Sequence, residues 1–193
     1  MNKEVLKYRQ SLPLEEKIKL TNERIKEWYD AWGGEVYISF SGGKDSTVLL
    51  NLVRKIYPNV PAVFVNTGLE YPEILSFVHS IDNVTILRPK MKFKDVLDKY
   101  GYPVLSRKIS MGISRYRNTK SDIQKQLRLH GGINPTSKKK QHKTIPIKYH
   151  HMIDAPFKIS EQCCVIMKER SLKQFSGFGF VGIMADNSFD RQR

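Results

Sequence analysis

The sequence predicts a three-layer α/β domain built on a mostly parallel sheet, and three observations carry that prediction. Apolar, β-rich runs at Val36–Phe40, Ala62–Val65 and Val84–Leu87 have the length of buried strands. Each is followed by a stretch whose apolar residues step by three and four, the period of a helix with one buried face. The 193 residues, 40% hydrophobic and 27% charged, are enough for one such domain with a sizeable core.

In chain order, Ser11-Leu12-Pro13 opens a helix, since the fixed φ of proline suits a first turn. Ile18, Thr21, Ile25, Trp28, Tyr29 and Trp32 then recur at helical steps, and Gly33-Gly34 ends the run. An aromatic stripe at this spacing is expected to pack into the core, so residues 1–34 are expected to be a helical segment preceding the domain of residues 35–193.

Val36–Phe40 breaks into Ser41-Gly42-Gly43-Lys44-Asp45-Ser46-Thr47, after which Val48, Leu49, Leu52 and Val53 mark a helix. Gly42 and Gly43 permit backbone angles closed to other residues, and Asp45 or Ser46 is expected to cap the helix. A strand, glycine turn and helix in succession aim free N–H groups and the positive helix end at one point, where an anionic phosphate would sit. Lys44 adds a mobile cation, the Ser41, Ser46 and Thr47 hydroxyls add donors, and Ser39 lies at the strand end. The competing reading is a glycine turn with a capped helix and no ligand. Two better-known phosphate loops fail by spacing. The Walker pattern needs glycine where Ile38 stands and Ser or Thr where Asp45 stands, and the dinucleotide fingerprint needs separated glycines and a third one.

Tyr57-Pro58-Asn59 turns the chain into Ala62–Val65, which ends in the polar cluster Asn66-Thr67-Gly68-Leu69-Glu70-Tyr71-Pro72-Glu73. Ligands of open parallel sheets bind at the carboxyl edge, and a βαβ unit sets these two edges side by side. Val65, Asn66, Thr67, Gly68 and Glu70 therefore join the candidate site. Pro72-Glu73 starts a helix carrying Ile74, Phe77, Val78 and Ile81, and after the third strand Phe93–Tyr100 reads as a short amphipathic helix stopped by Gly101.

The net charge of +14 is concentrated, because residues 105–150 hold twelve Lys and Arg against Asp122 alone, +11 of the total. Such a block suits a polyanion, either nucleic acid or a multiply phosphorylated nucleotide, and suits equally a solvated insertion. With few apolar residues between Leu129 and Ile145, it is expected to form a poorly ordered flap. Neither a signal peptide nor an apolar run of membrane-spanning length is recognisable, and the adjacent Cys163 and Cys164 do not make a disulfide scaffold. A cytoplasmic protein is expected. His150 and His151 lack the paired spacing of a structural zinc site with these cysteines, and read as loop or phosphate-contacting residues.

The string Ser41-Gly42-Gly43-Lys44-Asp45-Ser46 resembles the SGGxDS loop of the N-type ATP pyrophosphatases, the PP-loop enzymes. The cluster at 66–73 looks like the TGxxxPE element of the phosphoadenosine phosphosulfate (PAPS) reductase family within that superfamily. Tyr102-Pro103-Val104, Ala155-Pro156-Phe157-Lys158-Ile159-Ser160, Cys163-Cys164-Val165-Ile166-Met167-Lys168 and Gly182-Ile183-Met184-Ala185-Asp186-Asn187-Ser188 are similar to its later blocks, in the same order. The resemblance implies an adenine nucleotide alpha hydrolase-like fold and a bound adenine nucleotide, ATP or of adenylyl sulfate type, acted on at its α-phosphate or sulfo end. Catalysis is then expected of Lys44, Asp45 and Ser46, with Asp45 also helping to bind Mg²⁺. Adenine and ribose are expected to meet Val65 to Gly68, and Lys168 and Arg191 the phosphate or sulfate end.

Three departures qualify the resemblance. The glycine–lysine loop is closer to the ATP-cleaving branches than to the true reductases, the Glu-Cys-Gly-Leu-His tail of the thioredoxin-dependent reductases is missing, and Asn187 replaces an acid in Ala185-Asp186-Asn187-Ser188-Phe189-Asp190-Arg191. The iron–sulfur branch pairs a Cys-Cys like Cys163-Cys164 with a later Cys-x-x-Cys. The expectations are therefore a chain truncated at its C-terminus, a homodimer sharing a site, or no cluster and a pair of small buried residues. Two alternatives stand beside a metabolic enzyme: a nucleic-acid sulfur-modifying ATP pyrophosphatase whose residues 105–150 hold the strand, and a nucleotide-binding subunit without complete catalysis.

Overall fold

The computed structural model describes residues 3–141 and 144–182. The chain divides into two compact units, Met1–Arg88 with Ser171–Arg193, and Pro89–Arg170.

In the first unit, helices α1 (Lys3–Ser11) and α2 (Leu14–Ala31) precede strand β1 (Val36–Phe40), α3 (Lys44–Ile56), β2 (Ala62–Val65), α4 (Pro72–His79), β3 (Val84–Leu87) and, late in the chain, β4 (Phe178–Val181). The four strands form one parallel sheet in the order β3-β2-β1-β4, flanked by helices, which is the α/β class the sequence predicts. Ile38 pairs with Ala62 on one side and Phe180 on the other. Inner strands see apolar neighbours on both faces, and β2 accordingly buries Ala62, Val63 and Phe64. Ile38, Phe40, Leu50, Val53, Phe64, Val78 and Phe180 form the core with Ile25 from α2. At about 0.8 kcal/mol per buried methylene, this set supplies the main force holding helices to sheet.

The aromatic stripe of α2 departs from expectation. Ile25 is buried, whereas Trp28 and Trp32 remain 39% and 36% exposed. The reason lies in what α2 meets: Tyr29 stacks on Tyr57 with ring centroids 3.7 Å apart, and Trp32 stacks on Phe178 of the edge strand β4 at 3.4 Å, where one ring face stays outside the core.

The second unit contains α5 (Phe93–Tyr100), α6 (Arg107–Asn118), α7 (Asp122–His130), a small hairpin of Gly132–Ile133 with Lys140–Gln141, a 3₁₀ helix (Ile147–Asp154) and the helix start Gln162–Cys164 running into a π-helical turn (Val165–Glu169). Much of the segment expected as a flap is helical, over residues 107–118 and 122–130, while residues 142–143 within it lie outside the described residues. Ser106 and Ser121 cap α6 and α7 by accepting the N–H of Ile109 and Gln124, and Ile113 and Ile145 are almost fully buried. The segment gains order because Ile153, Ala155 and Ile159, from beyond residue 150, complete its apolar cluster. Arg117 adds a polar clamp, donating to the carbonyls of Met152, Ile153, Ala155 and Phe157 at 2.7–2.9 Å. Among the described residues no helix is long and apolar enough to cross a membrane.

Candidate functional site

From β1 the chain turns toward β2 and β3, and only after the second unit returns to lay β4 on the other side of β1. The carboxyl end of β1 is thus the point where connections diverge, the usual ligand position of an open parallel sheet. Residues 41–47 sit there. Gly42 has φ 71°, and a Cβ on it would stand 2.8 Å from Ile74 Cγ2 and 3.3 Å from Val78 Cγ2. Backbone angle and the packing of α4 both demand glycine. Gly43, at φ −84° and ψ 164°, is extended backbone that other residues adopt, so the special angle is needed at one glycine rather than two.

Gly43 is also the N-cap of α3, with no side-chain hydrogen bond capping the helix, which corrects the expected cap by Asp45 or Ser46. Both lie within the first turn, so neither occupies the cap position. Ser46 instead braces the loop from beneath. Its buried Oγ accepts the Ser41 N–H at 3.2 Å, lies 3.0 Å from Ser41 Oγ in a shared hydrogen bond, and donates to the Gly43 carbonyl at 2.9 Å. Thr47 Oγ1 donates to the same carbonyl at 3.0 Å, and the Gly43 N–H reaches Ser41 Oγ at 3.4 Å. The three hydroxyls read as ligand donors thus hold the loop in shape. What the helix start itself offers is first-turn N–H groups, which have no acceptor inside a helix, and the exposed side chain of Lys44. Ser39 is half-buried in β1, paired with Val63 and Val181.

Two residues that shape the loop are absent from the expected set. Ile74 limits Gly42, and Gly182, just after β4, comes so near that a Cβ on it would stand 2.9 Å from the Asp45 carbonyl oxygen and 3.2 Å from Ser46 N. Phe178–Val181 followed by glycine repeats the strand-then-glycine pattern of β1, and that repetition is the signal by which Gly182 could have been found.

At the neighbouring edge Val65 ends β2, and the Asn66 N–H donates to the Leu87 carbonyl of β3 at 2.9 Å. Asn66 Oδ1 accepts the Gly68 N–H at 2.9 Å. The Glu70 carboxylate accepts the Thr67 hydroxyl at 2.7 Å and the N–H groups of Thr67, Gly68 and Leu69 at 2.9–3.2 Å. Partial burial pushes its pKa up, but the Thr67 hydroxyl and these N–H groups favour the carboxylate and bring it below the ordinary value. Glu70 therefore moulds residues 66–70, its oxygens committed to its own loop.

Lys168 is exposed in the π-helical turn of the second unit, and Arg191, like residues 183–188 of the last resemblance block, lies outside the described residues. His150 Nε2 lies 2.9 Å from the Ile145 carbonyl, a contact that serves the fold. Cys163 is buried among Val96, Ile166 and Met167 while Cys164 is exposed, their sulfurs 3.9 Å apart. Burial, then the neighbouring Cys164, pushes the Cys163 thiol up and disfavours the thiolate a metal requires. A four-iron cluster takes four thiolates, the sequence has two cysteines, and among the described residues no three His, Cys, Asp or Glu side chains converge. The residues present do not fit that group.

Residues 35–106 match the phosphoadenosine phosphosulfate reductase domain. Two uncharacterized proteins of Methanocaldococcus jannaschii are similar, at 29% identity over 114 residues (55% of this chain, 28% of the relative) and 30% over 139 residues (64% and 29%). Adenosine 5'-phosphosulfate reductase 2 of Bacillus subtilis is 26% identical over 84 residues, 40% of this chain and 36% of the reductase. The matches thus span about a third or less of the relatives' own length. The matched segment includes the whole of β1, the glycine loop, α3, β2 and the 66–70 turn, so over the elements that form the candidate site the chain is similar to the phosphoadenosine phosphosulfate reductase domain.

Proposed function

We propose that the chain binds ATP or a related adenine nucleotide at residues 41–47 and acts at its α-phosphate, as a PAPS reductase-like enzyme of the PP-loop kind. The observation that carries the reading is the uncapped start of α3 behind a glycine held at positive φ, with the loop hydroxyls turned to bracing. Fixed N–H dipoles and the Lys44 cation are what such a loop can present to phosphate oxygens. They would stabilise charge developing on a pyrophosphate leaving group without reorganising during the reaction. Asp45, in the first turn, would serve Mg²⁺, which needs only one or two carboxylates beside the phosphates themselves. The turn at 66–70, held by Glu70, would border the adenine and ribose. The similarity to enzymes named for adenosine 5'-phosphosulfate, itself an adenine nucleotide, supports the same ligand class.

Isothermal titration calorimetry with ATP tests the reading. Lys44→Ala removes an exposed side chain and leaves the loop bracing in place. It should weaken binding about 10- to 100-fold, the worth of one charge-assisted hydrogen bond at about 1.5–3 kcal/mol. Equal affinity in parent and variant contradicts the proposal. Binding without pyrophosphate release would make the chain a nucleotide-binding module instead of an enzyme.

A further inference from the structure

The charge of the chain follows the division into units. Pro89–Arg170 holds nineteen Lys and Arg against six Asp and Glu, a net +13 of the chain's +14. Some of these cations are occupied within the fold: Arg107 pairs with Glu169 at 2.6 Å, and Arg117 is spent on four carbonyls. Lys108, Arg115, Lys120 and the run Lys138, Lys139 and Lys140 remain exposed, spread over α6, α7's approach and the hairpin. Arg128 adds an orphaned group: its Nε is buried without a partner among the described residues. Burial, then the Arg115 cation, lowers its pKa, a tension that a bound anion would relieve.

The same unit also carries an exposed aromatic pair. Tyr102 and Phe157 are 46% and 41% exposed, with ring centroids 6.0 Å apart and ring planes at 86°. The rings stand on a rigid base. Tyr102 N–H donates to the Lys158 carbonyl at 2.9 Å, Ser160 N–H donates to the Tyr102 carbonyl at 3.0 Å, and Arg117 holds the Phe157 carbonyl. Lys158 Nζ, 3.5 Å from the Lys99 carbonyl, flanks the pair.

We propose that the second unit binds single-stranded nucleic acid, with phosphates on its exposed lysines and arginines and bases stacked on Tyr102 and Phe157. Cations that track a backbone combined with aromatic faces that accept any base are the two components of strand binding. A unit of these 82 residues has a radius of gyration of about 12 Å and so spans roughly three Debye lengths at 0.1 M salt, and each cation acts mainly through the phosphate it contacts. A membrane surface fits less well, since the cations come from several elements and not from one face of an amphipathic helix. The site is separate from the glycine loop in sequence and lies in the other unit.

The test is fluorescence anisotropy of the full chain with a labelled mixed-sequence 20-nucleotide strand between 50 and 200 mM salt. Unlabelled duplex of the same sequence and vesicles containing phosphatidylserine serve as competitors. The parent should bind with a steep salt dependence, losing about 0.7 in the logarithmic slope for each phosphate contact removed. The triple change Lys138→Asn, Lys139→Ser and Lys140→Ser should weaken binding and flatten the slope by up to about 2, with asparagine chosen because Lys138 has φ 54°. Tyr102→Leu keeps apolar bulk without a ring, and should cost about 5- to 100-fold at unchanged slope. Circular dichroism melting verifies that both variants fold. Absence of salt-dependent binding, tighter binding of duplex or vesicles than of the strand, or parental binding by both variants would overturn the proposal.

Discussion

Replacing Gly42 by alanine is the sharpest perturbation of the loop that leaves every polar group in place. Two costs arise, both readable from the geometry. Holding an L-residue at φ 71° costs about 1 kcal/mol. The new methyl, 2.8 Å from Ile74 Cγ2 and 3.3 Å from Val78 Cγ2, meets β-branched side chains of a helix packed on the core, and overpacking of this kind costs about 1–3 kcal/mol. The sum, about 2–4 kcal/mol, should lower the melting temperature of a chain this long by roughly 5–15 °C in differential scanning calorimetry. The double variant Gly42→Ala with Ile74→Ala isolates the steric part, because it removes Cγ2 and leaves the backbone strain. A thermodynamic cycle should then show a coupling of about 1 kcal/mol or more in favour of the pair. A Gly42→Ala protein melting within 1 °C of the parent, or strictly additive effects, would refute the account of why this loop requires glycine.

Further expectations follow from the same contacts. Glu70 has a folded-state pKa below its unfolded value, so its contribution is fully present above the ordinary carboxylate range and is lost as pH falls through the folded pKa. Glu70→Gln should flatten that part of the acid limb of a stability–pH curve, and an unchanged limb would count against the hydrogen bonds assigned to it. Arg117→Lys keeps the charge but cannot span four carbonyls, and should destabilise the second unit by about 2 kcal/mol in denaturant melts, whereas a neutral result would empty the clamp of energetic meaning. Native protein should react with a thiol reagent rapidly at exposed Cys164 and slowly at buried Cys163, and anaerobically purified chain should carry less than one four-iron cluster per protomer. Two equally fast thiols, or one intact cluster per protomer, would contradict these statements.

The parts legible in the sequence are those where local chemistry and fold agree. Val36–Phe40, Ala62–Val65 and Val84–Leu87 are apolar enough to demand burial and stand where expected, and Gly101 stops α5 at the expected residue. Helix α1 lies within the expected helical segment of residues 1–34, but its own bounds are not legible because its sequence, KEVLKYRQS, shows no apolar stripe. Strand β4 escaped because glycine interrupts its β-rich pattern, and Gly179 is needed there since a Cβ would stand 2.9 Å from the Tyr37 ring. Helices α6 and α7 were hidden by charge, although Ser106 and Ser121 are visible caps and Ile109, Ile113 and Tyr116 keep a helical period. At the loop, spacing revealed which residues gather but not what each hydroxyl does. The turn of Ser46 toward Ser41 and Gly43 depends on the depth to which α3 buries, which is tertiary information.

Backbone-amide NMR of the isotopically labelled chain, titrated with ATP and Mg²⁺, tests the central claim most directly, because it reports where the nucleotide sits as well as whether it binds. The account predicts the largest shift changes at the amides of Ser41, Gly42, Gly43, Lys44, Asp45 and Ser46, with smaller ones at Asn66, Thr67 and Gly68, saturating together with one affinity. Loop amides that stay unmoved at millimolar ATP, or changes centred on residues outside both turns, would contradict it.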